Sequence, residues 1–239
     1  MIAFLLAQTI AITGGTVYPV SGPKIDNATV LIRDGRIAAV GANVAVPAGA
    51  TRIDASGKWV TPGLIDGAGQ MGLREIGAVQ NTNEATLRGT DVAAAFNVLE
   101  GINPASTLIP VNRVEGVTTT LAVPGGSLIF GQAALIDLDG ATIEVMRAKS
   151  PAAMVADLSE GSKDAGGGSR AGVAQRLRRV FNDALEYSRR KNDYSRAQIQ
   201  QLAASAADLE ALLPVLRGQL PLITIANRRS DIETALRIG

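Results

Sequence analysis

The segment VTPGLIDGAGQMG, residues 60–72, decides the fold that the sequence predicts. Its first half is apolar without alternation, a pattern typical of a strand that is buried on both faces of a parallel sheet. The apolar run ends at Asp66, and Gly67 and Gly69 follow where reactive side chains are expected at the carboxyl end of such a strand. The segment therefore predicts a buried strand of an α/β sheet with little chemistry at its end.

Residues 9–59, ahead of this segment, have the pattern of short strands joined by tight turns. The segments TVLIR and RIAAVG are joined by Asp34-Gly35, a strong hairpin signal because glycine accepts a positive φ. A further strand, TRIDA, is predicted at 51–55. We therefore expect residues 9–59 to form a small antiparallel unit.

The residues after this segment have the pattern of buried strands that alternate with helices. VTTTLAV (117–123) and LPLITIAN (220–227) are predicted as two more buried strands, whereas QAALIDL (132–138) is predicted as a strand off the main sheet. Strand–helix–strand alternation favours an α/β sheet with right-handed crossovers.

Helices are predicted at four places in the same part of the chain. Asp91 is predicted to cap a short helix, VAAAFNVLE, and Ser230 to begin a last one. Apolar residues at helical spacing predict two long helices at 171–191 and 197–217. The low-complexity segment SEGSKDAGGGSRAG, at 159–172, predicts a flexible connection.

The composition excludes several classes of function. The 23 basic and 22 acidic residues leave a net charge of +1, and aromatic residues make up only 3%, so nothing favours nucleic-acid binding. The 239 residues include no cysteine, which excludes disulfides and thiolate metal sites. They also include no histidine, which removes the commonest transition-metal ligand and any Ser-His-Asp arrangement.

Four groups of residues together resemble a known family. They are Thr13-Gly14-Gly15, the hairpin at Asp34-Gly35, DASGK (54–58) and VTPGLID (60–66). In order and spacing they resemble the N-terminal half of the amidohydrolase superfamily, particularly its imidazolonepropionase-like and dihydroorotase-like members. The resemblance implies a metal-dependent hydrolase in which a small β-sandwich accompanies a (β/α)8 barrel.

The resemblance also predicts the fold class. A complete (β/α)8 barrel takes about 250 residues, whereas the roughly 180 residues after the sandwich strands supply about three barrel-type strands. We therefore expect an α/β chain in which a small antiparallel β-sandwich-like unit (9–59) precedes an incomplete (β/α) TIM-barrel-like domain (60–239). The open edge of such a sheet exposes unpaired backbone groups, which favours association with another polypeptide.

The positions that match the family's metal ligands depart from its pattern. The first barrel strand of the family ends in Asp-x-His-x-His, and the matching residues here are Asp66, Ala68 and Gln70. Alanine has no donor atom, and an amide oxygen is a poor transition-metal ligand beside imidazole. A later family histidine matches the region 225–227, again without histidine. We therefore expect no metal, no cofactor and no catalytic residue in this chain.

A basic segment is the best candidate for contact with a partner. Residues 170–196 contain eight basic and three acidic side chains. Such a cluster favours an acidic partner or lipid headgroups, or else it is the solvated face of an amphipathic helix. Tyrosine and arginine are also enriched in interface hot spots. The candidate contact residues are Arg178, Arg179, Tyr187, Arg189, Arg190, Lys191 and Tyr194.

The sequence thus favours a non-catalytic amidohydrolase-like protein that is a structural or interaction subunit of a larger assembly. The apolar start, MIAFLLAQ (residues 1–8), resembles the end of a secretory signal, so we expect a periplasmic or otherwise exported protein, with a cytoplasmic one as the alternative. The start is too short to span a membrane. The expected partner is another polypeptide, such as a membrane-protein complex. The alternative function is one half of a split metal-dependent amidohydrolase that another chain completes.

Overall fold

The computed structural model describes residues 9–77, 79–196, 198 and 200–238. The predicted signal remnant at 1–8 lies outside these residues. Contacts divide the chain into two compact units, one ending at Gly63 and the other beginning at Leu64. Within the described residues, no helix is both long enough and apolar enough to cross a membrane.

The first unit is a five-stranded sheet. Its strands are β1 (Thr9–Val17), β2 (Ile25–Arg33), β3 (Arg36–Gly41), β4 (Thr51–Asp54) and β5 (Trp59–Val60). The predicted hairpin at Asp34-Gly35 is confirmed: it joins β2 to β3, and its two residues have φ of 51° and 73°. However, β4 and β5 both pair parallel with β1. The sheet is therefore mixed and not purely antiparallel as predicted. The sequence did not reveal this, because parallel pairing leaves no tight-turn signal.

An apolar groove and an aromatic pair lie on the first unit. The groove has a volume of about 410 Å³, and Val17 and Val30, which line it, are buried. Tyr18 also lines it and meets Trp59 edge to face, with ring centroids 5.7 Å apart. Trp59 is 76% exposed, so the pair lies at the surface of the unit.

The second unit is an α/β fold built on another five-stranded sheet. Its strands are β6 (Leu64–Gly69), β7 (Val117–Ala122), β8 (Ile129–Asp137), β9 (Arg147–Asp157) and β10 (Leu222–Ile225). Its helices are α1 (Leu108–Val114), α2 (Ile143–Met146), α3 (Arg170–Arg189), α4 (Lys191–Ser195), α5 (Ala206–Leu216) and α6 (Arg229–Ile238). Short 3₁₀ helices lie at Gln80–Thr82, Val98–Gly101, Glu160–Ser162 and Asp164–Gly166.

The second sheet is mixed, and among the described strands its two outer ones each have a neighbour on one side only. Its strand order is β10-β9-β8-β7-β6. The pairs β6–β7 and β9–β10 are parallel, while β8 is antiparallel to both of its neighbours. The predicted α/β class with an incomplete barrel-like sheet is confirmed, but the sheet has five strands rather than three.

Three strands differ from their predicted positions. The strand at 132–138 was predicted off the main sheet, yet as β8 it is the centre, and Ala133 and Ile136 have no exposed surface. The strand after residue 60 was predicted as buried on both faces, yet as β6 it is an outer strand. β9 was missed because it contains Pro151, and proline argues against a central strand.

Two of the predicted helices lie close to where the sequence pattern places them, and a third begins later. The apolar face predicted for α3 is confirmed by Val173, Leu177 and Phe181, all of which are buried. β10 and α6 lie where a strand and a last helix are predicted, but β10, which is predicted as a buried strand, is an outer strand whose side chains are half-buried or exposed. In contrast, α5 begins at Ala206, because Ser205 Oγ accepts a hydrogen bond from Asp208 N and caps the helix there. Residues 197 and 199, at the predicted start of this helix, lie outside the described residues.

The segment after Asp91 runs alongside β8 instead of forming the predicted helix. The carbonyl of Asp91 accepts hydrogen bonds from the backbone of Leu128 and Ile129, at 3.1 and 2.9 Å. Its carboxylate pairs with Arg176 at 3.0 Å. Asp91 therefore binds distant parts of the chain, and only the 3₁₀ turn Val98–Gly101 follows.

The composition of the glycine-rich residues 159–172 predicts a flexible connection. In the structure they instead form two 3₁₀ turns and the start of α3. Ser162 is fully buried within this segment. A Cβ added at Gly166 would overlap the backbone of Gly172 and Val173, and one added at Gly172 would overlap the backbone of Gly166. These two glycines therefore permit a close approach of two backbone segments.

Candidate functional site

The carboxyl end of β6 is where the sequence pattern places the candidate site. The Asp66 carboxylate accepts a hydrogen bond from Thr120 Oγ1 (3.0 Å) at one oxygen and from Ala68 N (3.2 Å) at the other. Thr120 lies in β7 and has no exposed surface. The carboxylate therefore connects two neighbouring strands.

Gly69 is required by the packing of this corner. A Cβ added at Gly69 would overlap both the Asp66 carboxylate and the Thr120 hydroxyl. A Cβ added at Gly67, two residues earlier, would meet no atom within 4 Å. Gly67 and Gly69 both stand where reactive side chains are expected, but only at Gly69 does the packing require a glycine.

Ala68 and Gln70, the positions that match the metal ligands, offer little to a metal. Ala68 is exposed and has only a methyl group. Gln70 is half-buried, and its Nε2 donates to the carbonyl of Val123 at 3.4 Å, so its amide faces the end of β7. Across the described residues, no group of three or more histidine, cysteine, aspartate or glutamate side chains could hold a metal ion. The residues present do not fit the family's metal site.

The end of β10, which matches the later family histidine, has an amide there. The amide is that of Asn227, one of the groups that lower the pKa of the Glu160 carboxyl. The pKa of the Glu160 carboxyl lies below its ordinary value, first because its own backbone N–H donates to it and then because of the Arg170 charge. Arg170 also pairs at 3.3 Å with Asp231, which is only 5% exposed. These groups hold the loop after β9 to α3 and α6.

The two candidate tyrosines are partly used by the fold. Tyr187 and Tyr194 stack edge to face, with ring centroids 5.2 Å apart, and both pack against the apolar core of α3 and α5. Lys191 Nζ lies 5.6 Å from the centre of the Tyr187 ring and 2.6 Å from a carboxylate oxygen of Glu210. These side chains therefore stabilise the end of α3 as well as presenting a surface.

All four candidate arginines are exposed, and one of them is paired. Arg190 pairs with Asp193 at 2.9 Å and Glu186 at 3.2 Å, and these contacts, Asp193 first, raise the pKa of its guanidinium above the ordinary value. The other three have no ion pair within the described part of the chain. They are Arg178, Arg179 and Arg189. Their role in contacting a partner stays a prediction.

An exposed apolar surface on the outer strands was missed by the sequence analysis. In β6, Leu64 is 57% and Ile65 is 69% exposed. Beside β10 at the other end of the sheet, Ile232 and Leu236 of α6 are 50% and 78% exposed. The sequence does contain a signal for the part of this surface that lies on β6. An apolar run without alternation predicts a strand whose two faces are both covered by other groups.

Comparison with known proteins gives partial matches. No family model matches the chain. A dihydroorotase of Anaeromyxobacter dehalogenans is 34% identical over 113 residues, which cover 47% of this chain and 25% of that protein. A dihydroorotase of Pelotomaculum thermopropionicum is 49% identical over 86 residues, covering 36% and 19%. The matches thus span about a quarter or less of these curated relatives.

A solved structure is similar over almost the whole chain. It is an amidohydrolase from Thermotoga maritima MSB8, with 27% sequence identity and a TM-score of 0.82. The superposition covers 96% of this chain and 61% of that one. Both units described above are therefore part of a fold that the solved protein contains within a longer chain.

Proposed function

Since the chain belongs to the amidohydrolase superfamily but has Ala68 and Gln70 where that family has metal-binding histidines, we propose that it is a non-catalytic member. It acts as a structural or interaction subunit of a larger assembly, which is exported or attached to a membrane. The observation that carries this proposal is the end of β6, where Asp66 binds Thr120 and Gln70 binds a backbone carbonyl.

An active amidohydrolase has to bind a catalytic metal. Hydrolysis of an amide at neutral pH in this family uses a Lewis-acidic metal that lowers the pKa of bound water. The chain has no histidine and no cysteine, and a glutamine amide replaces little of their affinity for such a metal. The described residues therefore support binding of another macromolecule better than they support hydrolysis.

The exposed outer strands support the interaction role. An outer strand presents a row of backbone groups to any strand that can pair with it, and exposed apolar side chains strengthen such a contact. Leu64 and Ile65 of β6 give this edge two large apolar groups. The exposed Arg178, Arg179 and Arg189 are a second candidate surface, on α3, for an acidic partner or lipid headgroups.

The alternative is one half of a split metal-dependent hydrolase. It is favoured by the dihydroorotases among the relatives and by a sheet that lacks neighbours at both ends among the described strands. Ala68 and Gln70 count against it, because the partner would have to replace both histidine ligands. The two functions differ in whether the assembled protein contains a metal.

The test is to isolate the protein gently from its own cells and to measure native mass and metal content on one sample. We expect a complex that contains no stoichiometric zinc or manganese and does not hydrolyse dihydroorotate. A complex with stoichiometric metal and metal-dependent hydrolysis would contradict the proposal and favour the split enzyme. A stable monomer from cells would contradict both.

A further inference from the structure

The acidic side chains of α3 are both engaged by groups of their own chain. Asp183 accepts a hydrogen bond from Ala203 N at 2.7 Å. Glu186 pairs with Arg190, which follows the helix, at 3.2 Å. α3 contains no other acidic residue. The helix therefore has no carboxylate left to balance further positive charge on its surface.

The five arginines of α3 fall into two groups. Arg170 pairs with Glu160 and Asp231, and Arg176 pairs with Asp91, so these two hold the helix to other parts of the second unit. The remaining three are exposed and form no ion pair with any described residue. They are Arg178, Arg179 and Arg189. The outer surface of α3 thus carries three positive charges that the described part of the chain does not balance.

Two of these arginines lie on one side of the helix with a leucine between them. Leu185 follows Arg178 by seven residues and precedes Arg189 by four, and both spacings are close to whole helical turns. At about 1.5 Å of rise per residue, the two arginines stand about 16 Å apart along the axis. Leu185 is 39% exposed, and the neighbouring Gln175 and Asn182 are exposed and uncharged. Arg178, Leu185 and Arg189 therefore form a basic stripe with an apolar centre.

The core fixes the basic stripe in its outward position. Val173, Leu177, Val180 and Ala184 of α3 have no exposed surface. Turning the helix to hide the arginines would bring these apolar side chains into water, which is unfavourable. The stripe is therefore a preorganised surface, and a partner that binds it does not have to order the helix first.

We propose that the basic stripe binds an acidic segment of a partner polypeptide, with carboxylates that meet Arg178 and Arg189 and an apolar side chain that packs on Leu185. This inference rests on the proposed function, because it names the chemistry of the partner that the interaction subunit binds. A guanidinium group matches a carboxylate with two parallel hydrogen bonds, which gives such a contact direction as well as strength. Arginine is also enriched where protein–protein interfaces are strongest.

The charges favour a polypeptide over an anionic membrane. Basic clusters that bind lipid headgroups contain about four to eight lysines and arginines, whereas the basic stripe together with Arg179 supplies three. The whole chain has a net charge of only +1, so the rest of the molecule adds little attraction to a negative surface. Two charges on either side of a leucine instead match a partner whose own charges stand at fixed positions.

Charge reversal in the protein's own cells tests the stripe. In Arg178→Glu, Arg189→Glu, both changes are at exposed positions, so the fold should be retained. We expect the partner to bind at least about tenfold more weakly, so that native mass spectrometry shows more of the chain alone. Arg33→Glu, Arg36→Glu is the matched control, because it reverses two exposed arginines in the hairpin of the first unit. It should leave the complex intact, and equal losses in both variants would overturn the proposal.

A neutral variant covers the case in which the charge-reversed chain fails to fold. Arg178→Gln, Arg189→Gln removes both charges, and glutamine keeps a good helix propensity. We expect weaker binding than in the original chain, together with a smaller loss of binding when salt is raised, because fewer charges are left to screen. Helical circular dichroism checks the fold of each variant. Unchanged affinity and unchanged salt dependence in this variant would overturn the proposal.

Vesicles distinguish lipid from polypeptide. The purified chain should not sediment with vesicles of phosphatidylcholine, with or without phosphatidylserine. Sedimentation that needs phosphatidylserine and is lost in Arg178→Glu, Arg189→Glu would overturn the acidic polypeptide in favour of lipid headgroups.

The same cellular complex separates this inference from the proposed function. A metal-free complex that every change in the stripe leaves intact would overturn the inference and leave the proposed function standing. A complex that the stripe variants dissociate, but that contains stoichiometric metal and hydrolyses its substrate, would do the opposite.

Discussion

β8 and β6 are apolar strands of one sheet, and their surroundings are opposite. β8 lies at the centre, where Ala133, Ala134 and Ile136 have no exposed surface. β6 lies at the end, where Leu64 and Ile65 are largely exposed. The sequence pattern predicts the reverse, with β6 buried and β8 off the sheet. An apolar run therefore predicts that a strand is covered, but the position of the strand in the sheet determines whether residues of the same chain cover it.

The largest expected effect comes from a charge placed in β8. Ile136→Asp buries a carboxylate where no surface is exposed, and we expect it to lower the free energy of unfolding by more than about 4 kcal/mol or to prevent folding. Ile65→Asp in β6 should cost less than about 1 kcal/mol in the dissociated chain, because that side chain is 69% exposed. Urea unfolding at high dilution, followed by the helical circular dichroism signal, measures both. Equal losses would show that β6 is buried as fully as β8, contrary to this description.

Two glycines of β6 are expected to differ in how well they tolerate a side chain. Gly69→Ala should lower the free energy of unfolding by about 1–3 kcal/mol, because the new methyl group overlaps Asp66 and Thr120. Gly67→Ala is the matched control and should change it by less than about 0.5 kcal/mol, since nothing lies within 4 Å of the added atom. The same urea titrations apply. A larger loss at Gly67 would mean that the corner at Asp66 is not packed as described.

The contact between β6 and β7 should show a smaller effect. Thr120→Val removes the buried hydroxyl that donates to Asp66, and we expect a loss of about 1–2 kcal/mol. Thr119→Val removes an exposed hydrogen bond to Asp137 and should cost about 0.5 kcal/mol or less. Thermal unfolding of the two variants, measured side by side, compares their losses of stability. If Thr119→Val were the more destabilising, Asp66 would not be what holds β6 to β7.

The smallest effect is expected when histidines are placed at the end of β6. The variant Ala68→His, Gln70→His places two imidazoles two residues apart at the carboxyl end of β6, so we expect zinc to stabilise it by about 1 kcal/mol. The original chain should gain nothing from zinc, and Ala68→His alone should gain less than the pair. Thermal shift with and without zinc provides the measurement. Equal zinc effects on all three proteins would show that positions 68 and 70 are not a pair.

Local signals made part of the fold predictable. The hairpin at Asp34-Gly35, the apolar face of α3 and the strand β10 each depend on a few consecutive residues, and each was found. The order of strands in the second sheet depends on pairings between distant segments, which leave no local pattern. β9 was not predicted, because Pro151 argues against a central strand at this position. The segment after Asp91 was misjudged because its carbonyl binds backbone that lies more than thirty residues further along the chain.

The sequence gives the residue types at the candidate site but not their contacts. The residue types at Ala68 and Gln70 are enough to predict weak metal binding. That Gln70 binds the carbonyl of Val123, and that Asp66 binds Thr120 across 54 positions, could be found only in the folded chain. The exposed apolar edge was missed because the same pattern is found in buried strands, so burial was the natural interpretation.

The aromatic pair on the first unit provides an optical probe that is specific to that unit. Trp59 is the only tryptophan in the chain, and it lies against Tyr18, whereas every described helix belongs to the second unit. Tryptophan emission therefore reports the melting of the first unit, and helical ellipticity reports that of the second. Two curves with different midpoints would reveal independent cooperative units in a single sample, without cutting the chain.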